Sequence, residues 1–415
     1  MTEDTFRPVA GFQVAGVHCG LKKEGKLDFA LIVSDEPCVA AGVFTTNRVK
    51  AAPVLVDMER LKQHAHHIRA IAVNTGCANA CTGQQGIDNA LQTARWVAEE
   101  IGCDENEVLV LSTGVIGTQL PMDKIRHGIR LAADSLGTDW EAAARAIMTT
   151  DTKPKLEDYW LDGVSTCGIA KGAGMIAPNM ATMLGIVVTD ALIEPETLHH
   201  ALSDTVDTSF NRIVVDGDMS TNDTVLALAN GTSGVNVVKR DGGFTDLHWS
   251  LSFICAGLAT QIVSDAEGAT KFITIRVTGA PSSYWDEPRQ HYAAHAIAHA
   301  IATSPLVKTA FFGNDANWGR IIAAAGRSGV PLDPEKLTLW IAPGKGRDWE
   351  TKDMPMLTLF LNGMPTNFSE EEATRIMSQP AVFVHLHCGM GTNEATVWTC
   401  DLSHDYVSIN GDYRS

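Results

Sequence analysis

Apolar and polar positions alternate along this chain with two periods, and the switches between them mark out its elements. Leu27–Val33 and Ile68–Val73 are apolar runs of strand length bounded by polar or glycine-containing turns. Ile87, Leu91, Ala94, Val97 and Ile101 then recur at helical spacing, and Gly102 is placed to close that helix in a left-handed cap. Glu107–Ser112 reads as a strand running into a Thr113–Gly114 turn, and Asp139 is placed to cap a short helix ending near Met148. Met183–Val188 predicts a buried strand, followed by a helix opening near Pro195. A second helix starts near Thr245, with Leu247, Leu251, Ile254, Leu258 and Ile262 on one stripe. Lys271–Val277 alternates as a strand, and Ala293–Thr303 is an alanine-rich helix stopped by Pro305. Ser369 and Glu372 have the spacing of a capping box, ahead of strands near Val382–His387 and Ala395–Cys400. Strand and helix runs without a short repeat predict a layered, mixed α/β fold. The polar stretch Lys153–Trp160 and the turn at Asp241–Gly243 are the candidate boundaries.

Composition narrows the class. The 415 residues suffice for one large or two ordinary domains, and 45% apolar with 20% charged residues is the balance of a soluble globular protein. A net charge of -17 argues against nucleic acid or an anionic membrane as partner. The opening Met1–Arg7 has neither a basic start nor a following apolar segment, and no run approaches the ~20 apolar residues of a membrane helix, so the expected location is cytoplasmic. Nine scattered cysteines, an odd number, read as reduced thiols; Cys77 and Cys81 lack a second ligand pair for zinc. His291, His295 and His299 share a helix face and His385 and His387 a strand face, without the acidic or thiol partners of a metal site. Asp216–Asp223 superficially resembles a calcium loop, but Thr221 stands where glycine is needed and Ala227 where a bidentate glutamate belongs. The expectation is therefore no metal and no cofactor.

The chemistry concentrates in Lys171–Asp190. There Thr182 opens an apolar run directly behind a loop rich in glycine, proline and asparagine. Its hydroxyl can attack the carbonyl of Ala181, and cleavage of that bond would leave Thr182 as a chain start whose own α-amine, with a pKa of about 7.7–8.0, serves as base. Gly172 and Gly174 permit unusual backbone conformations, Pro178 stiffens the approach, and Ala181 has no side chain to block its carbonyl. On local pattern alone, an ordinary threonine at the start of a core strand is the favoured reading.

Longer motifs separate these readings. Ala15–Lys23, Ala41–Pro53, Ser112–Gly117, Met148–Thr152, Asp216–Thr224, Glu267–Lys271, Asn317–Arg320 and Tyr406–Ser415 follow in an order that closely resembles the ornithine acetyltransferase (glutamate N-acetyltransferase) family, nearly end to end. The resemblance implies a layered sheet-and-helix fold of the ornithine acetyltransferase or DmpA-like type, self-processed between Ala181 and Thr182. The resulting chains, 1–181 and 182–415, would interlock as an αβ unit, with two α and two β chains in a heterotetramer. It implies an acyltransferase of cyclic arginine biosynthesis that moves acetyl from N-acetylornithine to glutamate through acetyl-Thr182. Thr113 and Gly114 would form the oxyanion hole, and Thr149, Lys171, Thr182, Glu267, Asn410 and Ser415 would bind substrate. The alternatives are an amidohydrolase or aminopeptidase using the same threonine, and an uncleaved binding protein; use of acetyl-CoA as donor stays open. Where the family often has Asn-Ser-Gly-Asn-Ala-Asn, this chain has Asn74-Thr-Gly-Cys77-Ala-Asn79, and it ends in serine where threonine is also usual.

Overall fold

The computed structural model describes residues 6–23, 25–176, 183–238, 242–282, 292–344 and 355–412. In chain order its first elements are β1 (Phe12–Val17), β2 (Phe29–Phe44), α1 (Ala52–His64), β3 (Ile68–Asn74), α2 (Gly83–Ile101), β4 (Val108–Ser112), α3 (Met122–Asp134) and α4 (Trp140–Ile147). Next come β5 (Lys155–Leu161), β6 (Val164–Lys171), β7 (Leu184–Thr189), β8 (Leu192–Ile193), α5 (Pro195–Thr208), β9 (Ile213–Val214), β10 (Thr224–Ala229), β11 (Asn236–Val237) and α6 (Gly242–Ser264). The remainder is β12 (Phe272–Ala280), α7 (Tyr292–Ala302), α8 (Pro305–Phe312), α9 (Trp318–Gly326), β13 (Thr338–Pro343), β14 (Leu357–Leu361), β15 (Met364–Pro365), α10 (Glu370–Met377), β16 (Ala381–His387), β17 (Asn393–Cys400) and α11 (His404–Gly411). The chain divides into two units, Met1–Asn211 with Asp218–Ile262, and Arg212–Gly217 with Val263–Ser415.

In the first unit the strands run in the order β4-β3-β2-β10-β7-β6-β5, with β1 also paired to β2. The long β2 belongs to two layers. Its first part pairs with β1 and β3, its last six residues pair with β10, and the register breaks between Val33 and Cys38, where Asp35, Glu36 and Pro37 are exposed at the corner. Ala30, Ile32, Ile71 and Leu109 of one layer pack against Ile169, Ile186 and Leu226 of the other, and Trp140 and Ile147 of α4 join that core. The alternate residues Phe29, Leu31 and Val33 face outward, against α2 and α3 residues such as Ala94, Val97, Ile125 and Ile129. A Cβ on Gly168 of β6 would lie 3.2 Å from Ile254 and 3.3 Å from Leu258, which puts α6 on the outer face of the second layer. The unit is thus a helix–sheet–sheet–helix sandwich.

The second unit is a sheet in the order β15-β14-β13-β16-β12-β17-β9. Ile273, Ile275 and Val277 of β12 and Val382, Val384 and Leu386 of β16 pack against Ile297 and Ile301 of α7 and Ile321 of α9.

Most predicted elements are present, and the differences have physical causes. Gly102 closes α2 at φ 75° and its N–H reaches the Ala98 carbonyl; Asp139 caps α4 by accepting from Ala142 at 2.9 Å. Ser369 caps α10 through the Glu372 N–H, but the reciprocal bond of a capping box is not made among the described residues. The stretch Lys153–Trp160, read as a linker, is largely β5, whose polar side chains belong to a strand at the end of the sheet. α6 is long and apolar enough, by length and composition, to span a membrane, a run the sequence reading did not find. Its Leu247, Leu251, Ile254, Leu258 and Ile262 are all buried, so it is a core helix here.

Two buried carboxyl groups stabilise the first unit in opposite ways. Asp57 of α1 accepts the Val110 N–H of β4 at 2.9 Å and Arg60 donates to the Val108 carbonyl, so the end strand β4 has its outward-facing groups covered by a helix. Burial pushes the Asp57 carboxyl well up, against the pull of the Val110 N–H and Arg60. Asp151 is also buried, but burial is outweighed there by the Lys171 and Lys155 ammonium groups and by hydrogen bonds from Lys155 and the Thr149 amide, which hold it at about 2. Its bond to Lys155 Nζ is 2.7 Å, with both side chains shielded from water.

The same substitution therefore has opposite expected outcomes. Asp57→Asn keeps a neutral acceptor for Val110 and costs under about 1 kcal/mol, whereas Asp57→Ala orphans that amide at about 1–3 kcal/mol. Asp151→Asn leaves Lys155 without its buried counter-charge and costs about 3–5 kcal/mol in denaturant unfolding at pH 7. Because the folded Asp151 is depressed below its ordinary 3.8, its contribution is complete above that value. The stability gap between wild type and Asp151→Asn is expected to shrink, by about 2 kcal/mol, as pH falls from about 5 to about 2.

Candidate functional site

The layered arrangement gathers several strand ends at one end of the first unit. β4 finishes at Ser112, and Thr113 follows with its N–H on the Asn74 carbonyl at the end of the parallel strand β3, 3.0 Å away. Asn74 completes the connection: its side chain accepts from Ser112 Oγ at 2.6 Å and donates to the Cys77 carbonyl at 2.9 Å. Gly114 lies at φ 131°, and a Cβ there would come within 2.4 Å of the Gly76 backbone, so the turn requires glycine. Cys77, the departure noted in the loop motif, is buried, bridges to Thr113 and Val115, and directs its thiol to the Thr118 carbonyl at 3.0 Å.

From the other layer, β6 ends at Lys171, which is buried with Nζ 3.4 Å from Thr113 Oγ1. The next residue, Gly172 at φ 152°, donates its N–H to Asp151 Oδ1 at 2.7 Å. The same carboxylate takes the Thr149 N–H at 2.9 Å, so Asp151 ties the Thr149 loop to the end of β6. Lys22 adds a second cation. Its Nζ donates to the Leu27 carbonyl at 2.7 Å, and burial, with Lys171 and Lys26 in the same direction, brings it down to about 8 against the opposite pull of Asp28 and Asp151. Asp28 shapes that loop by accepting from the amides of Cys19 at 2.6 Å and Lys22 at 2.8 Å.

A third group enters at the paired starts of β7 and β10. Asn222 donates to the Ala78 carbonyl at 2.7 Å and the Ser112 carbonyl at 2.8 Å, pinning the segment before β10 to the Thr113 turn. Asp223 accepts the Met183 N–H at 3.0 Å. Burial raises its carboxyl well above the ordinary range, with Lys171 and Ser220 pulling the other way.

In the second unit Glu267 lies in the turn between α6 and β12, and Asn410 on α11 donates to its carboxylate at 2.8 Å. The turn is held against the C-terminal segment by Asp401, which accepts the Thr270 and Lys271 amides at 2.8 and 2.9 Å, and by Ser403, which donates to the Gly268 carbonyl at 2.5 Å.

The structure thus brings together Thr113, Gly114, Thr149 and Lys171 in one unit and Glu267 and Asn410 in the other. Ala181, Thr182 and Ser415 lie outside the described residues. Sequence reasoning missed Asp151, Asn222, Asp223 and Lys22. Each sits inside a quoted motif, Met148–Thr152, Asp216–Thr224 or Ala15–Lys23, and the usable signal was a carboxylate, amide or ammonium within such a motif. Among the described residues, three or more histidine, cysteine or acidic groups do not gather as a metal site. His385 and His387 share the Thr278 hydroxyl, at 2.8 and 3.0 Å.

Comparison with known proteins agrees in extent with the motifs. The arginine biosynthesis bifunctional protein ArgJ of Thermotoga neapolitana is 47% identical over 410 residues, covering 98% of this chain and 99% of that protein. The protein of the same name from Geobacter sulfurreducens is 47% identical over 414 residues, covering 98% and 100%. A crystal structure of ArgJ from Bacillus halodurans is 37% identical, with a TM-score of 0.47, covering 54% of this chain and 96% of that one. The family model described as the ArgJ family matches residues 13–415. By that match and the Thermotoga and Geobacter relatives, this chain belongs to the ArgJ family.

Proposed function

We propose that the protein is a glutamate N-acetyltransferase that passes acetyl from N-acetylornithine to glutamate through acetyl-Thr182, after cleaving its own chain between Ala181 and Thr182. The observation that carries this reading is the meeting of Lys171 Nζ with Thr113 Oγ1 at the end of the strand that precedes Thr182 in sequence. Membership in a family of arginine-biosynthesis proteins supports the substrate class.

In self-cleavage, Thr182 Oγ attacks the Ala181 carbonyl carbon, the peptide nitrogen leaves and gains a proton, and water hydrolyses the ester to free both ends. β6 and β7 are hydrogen-bonded neighbours, so chains 1–181 and 182–415 would still share a sheet. In transfer, the Thr182 amine takes the hydroxyl proton as Oγ attacks the acetyl carbonyl. It returns that proton to the departing amine of ornithine, and the α-amine of glutamate then attacks the ester by the same route in reverse. The Thr113–Gly114 turn stabilises the oxyanion of both tetrahedral intermediates. Lys171 is assigned to the carboxylate common to both substrates, Glu267 to their α-ammonium, and Thr149, Asn410 and Ser415 are the other residues assigned to substrate recognition. Two αβ units form the proposed heterotetramer, in the cytoplasm.

Intact mass of wild type and Thr182→Ala tests the core of this. Wild type is expected as two fragments beginning at Met1 and Thr182, the second gaining one acetyl group from N-acetylornithine and losing it to glutamate; Thr182→Ala stays whole. Loss of the acetyl group to water at the same rate with and without glutamate would make the protein a hydrolase instead. Acetyl-CoA in place of N-acetylornithine tests the second donor in the same assay. Thr113→Val is expected to lower kcat about 100-fold with little change in KM, and Lys171→Met to lower kcat/KM about 10- to 100-fold, mainly through KM.

A further inference from the structure

The loop between β1 and β2 carries an ammonium that has no part in the reaction just described. The backbone of Lys22 is fixed there by a buried acid: Asp28 accepts the Lys22 N–H on Oδ2 at 2.8 Å and the Cys19 N–H on Oδ1 at 2.6 Å. The loop rests on the Thr113–Gly114 turn through a continuous series of contacts. Thr75 donates its N–H and its hydroxyl to the Asp28 carbonyl at 3.0 and 3.1 Å, a Cβ on Gly76 would lie 3.3 Å from the Leu21 carbonyl, and one on Gly114 would meet the Gly76 backbone at 2.4 Å. Thr113 is in turn the residue whose hydroxyl lies 3.4 Å from Lys171 Nζ. Lys22 and Lys171, from the two layers of the unit, are thus tied to one turn.

Lys22 is half-buried, and what it touches is less than its charge asks for. Its Nζ donates to the Leu27 carbonyl at 2.7 Å, and among the described residues it forms no ion pair. An ammonium has three N–H donors, so two remain for a ligand. The acids that act on it are committed elsewhere: Asp28 to the Cys19 and Lys22 amides and the His18 ring, Asp151 to Lys155 and the Gly172 and Thr149 amides. We propose that Lys22 is a further substrate-binding residue, forming with Lys171 a two-ammonium clamp for the carboxylate common to donor and acceptor. A carboxylate has an oxygen for each, and a negative charge placed against both relieves the repulsion between them. This rests on the reading of the site as that of a glutamate N-acetyltransferase.

The surroundings give the clamp a pH signature. Burial, then the repulsion of Lys171 and Lys26, brings Lys22 down to about 8, against the pull of Asp28 and Asp151. His18 shares Asp28 at 3.1 Å, Lys124 of α3 donates to the Gly20 carbonyl at 2.6 Å, and the Cys19 thiol, pushed up to about 12 by burial and Asp28, stays neutral. Lys22 is therefore mostly charged at pH 7, and a bound carboxylate, which favours the charged form, raises it further. Affinity for the carboxylate is accordingly full below about 8 and is lost as pH rises through that value.

Lys22→Met removes the charge and keeps most of the stem, and it is expected to melt within a few degrees of wild type. At pH 7 its kcat/KM for N-acetylornithine and for glutamate are each expected to fall about 10- to 100-fold, through KM, with kcat nearly unchanged. Lys22→Arg, which keeps the charge, is expected to recover most of that loss. The pH profile measured with N-acetylornithine, whose acylated nitrogen does not titrate, separates binding from a structural role. Wild-type kcat/KM is expected to carry a falling limb above about 8 that is absent from Lys22→Met and displaced to higher pH in Lys22→Arg. A Lys22→Met protein with wild-type KM for both substrates overturns the proposal, and so does one whose activity falls only in step with its folded fraction. A rise in KM for glutamate alone places Lys22 on the γ-carboxylate and overturns the shared clamp. Failure of the underlying reading is distinct: a wild type that takes up no acetyl from N-acetylornithine brings down the acetyltransferase site, and the clamp with it.

Discussion

The buried Asp151 carboxylate is the interaction on which the first unit's functional end depends. It accepts from Lys155, from the Gly172 amide and from the Thr149 amide. Three segments separate in sequence are thereby set together: the start of β5, the end of β6 and the loop before them. Burying a charge is costly unless it is paired and hydrogen-bonded, and here the pairing is close to complete. The backbone at Gly172, next to Lys171, is consequently fixed, and from there the Lys171 side chain reaches Thr113 Oγ1.

The bend in β2 supplies the other half of the geometry. A flat sheet would leave the ends of β4 and β6 many strands apart, since β4 and β5 are the two ends of the strand order. By breaking register between Val33 and Cys38, β2 folds the sheet into two layers that share the core of Ile32, Ile71 and Ile186. Asn222 then crosses between the layers, from the segment before β10 to the carbonyls of Ala78 and Ser112. Packing brings the polar ends near each other, and a few buried hydrogen bonds select their arrangement.

Asp57, Asp151 and Asp223 show why burial of an acid says little until its partners are known. Asp57 covers a strand edge and is pushed up; Asp151 sits among ammonium groups and is held at about 2. Asp223 is pushed up and, among the described residues, has one oxygen unpaired. All three look alike in a sequence.

The sequence by itself determined the local elements and the chemical inventory. Periodicity placed α2, β7 and β12 to within a few residues, because a helix or strand that buries one face must repeat its apolar residues at that element's own period, and Asp139 and Pro195 marked the starts of α4 and α5. Motif order pointed to Thr113, Lys171, Thr149, Glu267 and Asn410. It did not reveal that Lys153–Trp160 is largely a strand at the end of the sheet, since a strand that is only partly buried carries no continuous apolar run. Nor did it reveal Asp151, Asn222 and Asp223 as organisers of the site. Their partners are 21, 110 and 40 positions away along the chain, and a hydrogen bond across such a separation leaves no periodic trace. Only the tertiary structure, by closing those distances in a dry interior where each polar group must find a partner, decided which of the many acids and amides hold the site together.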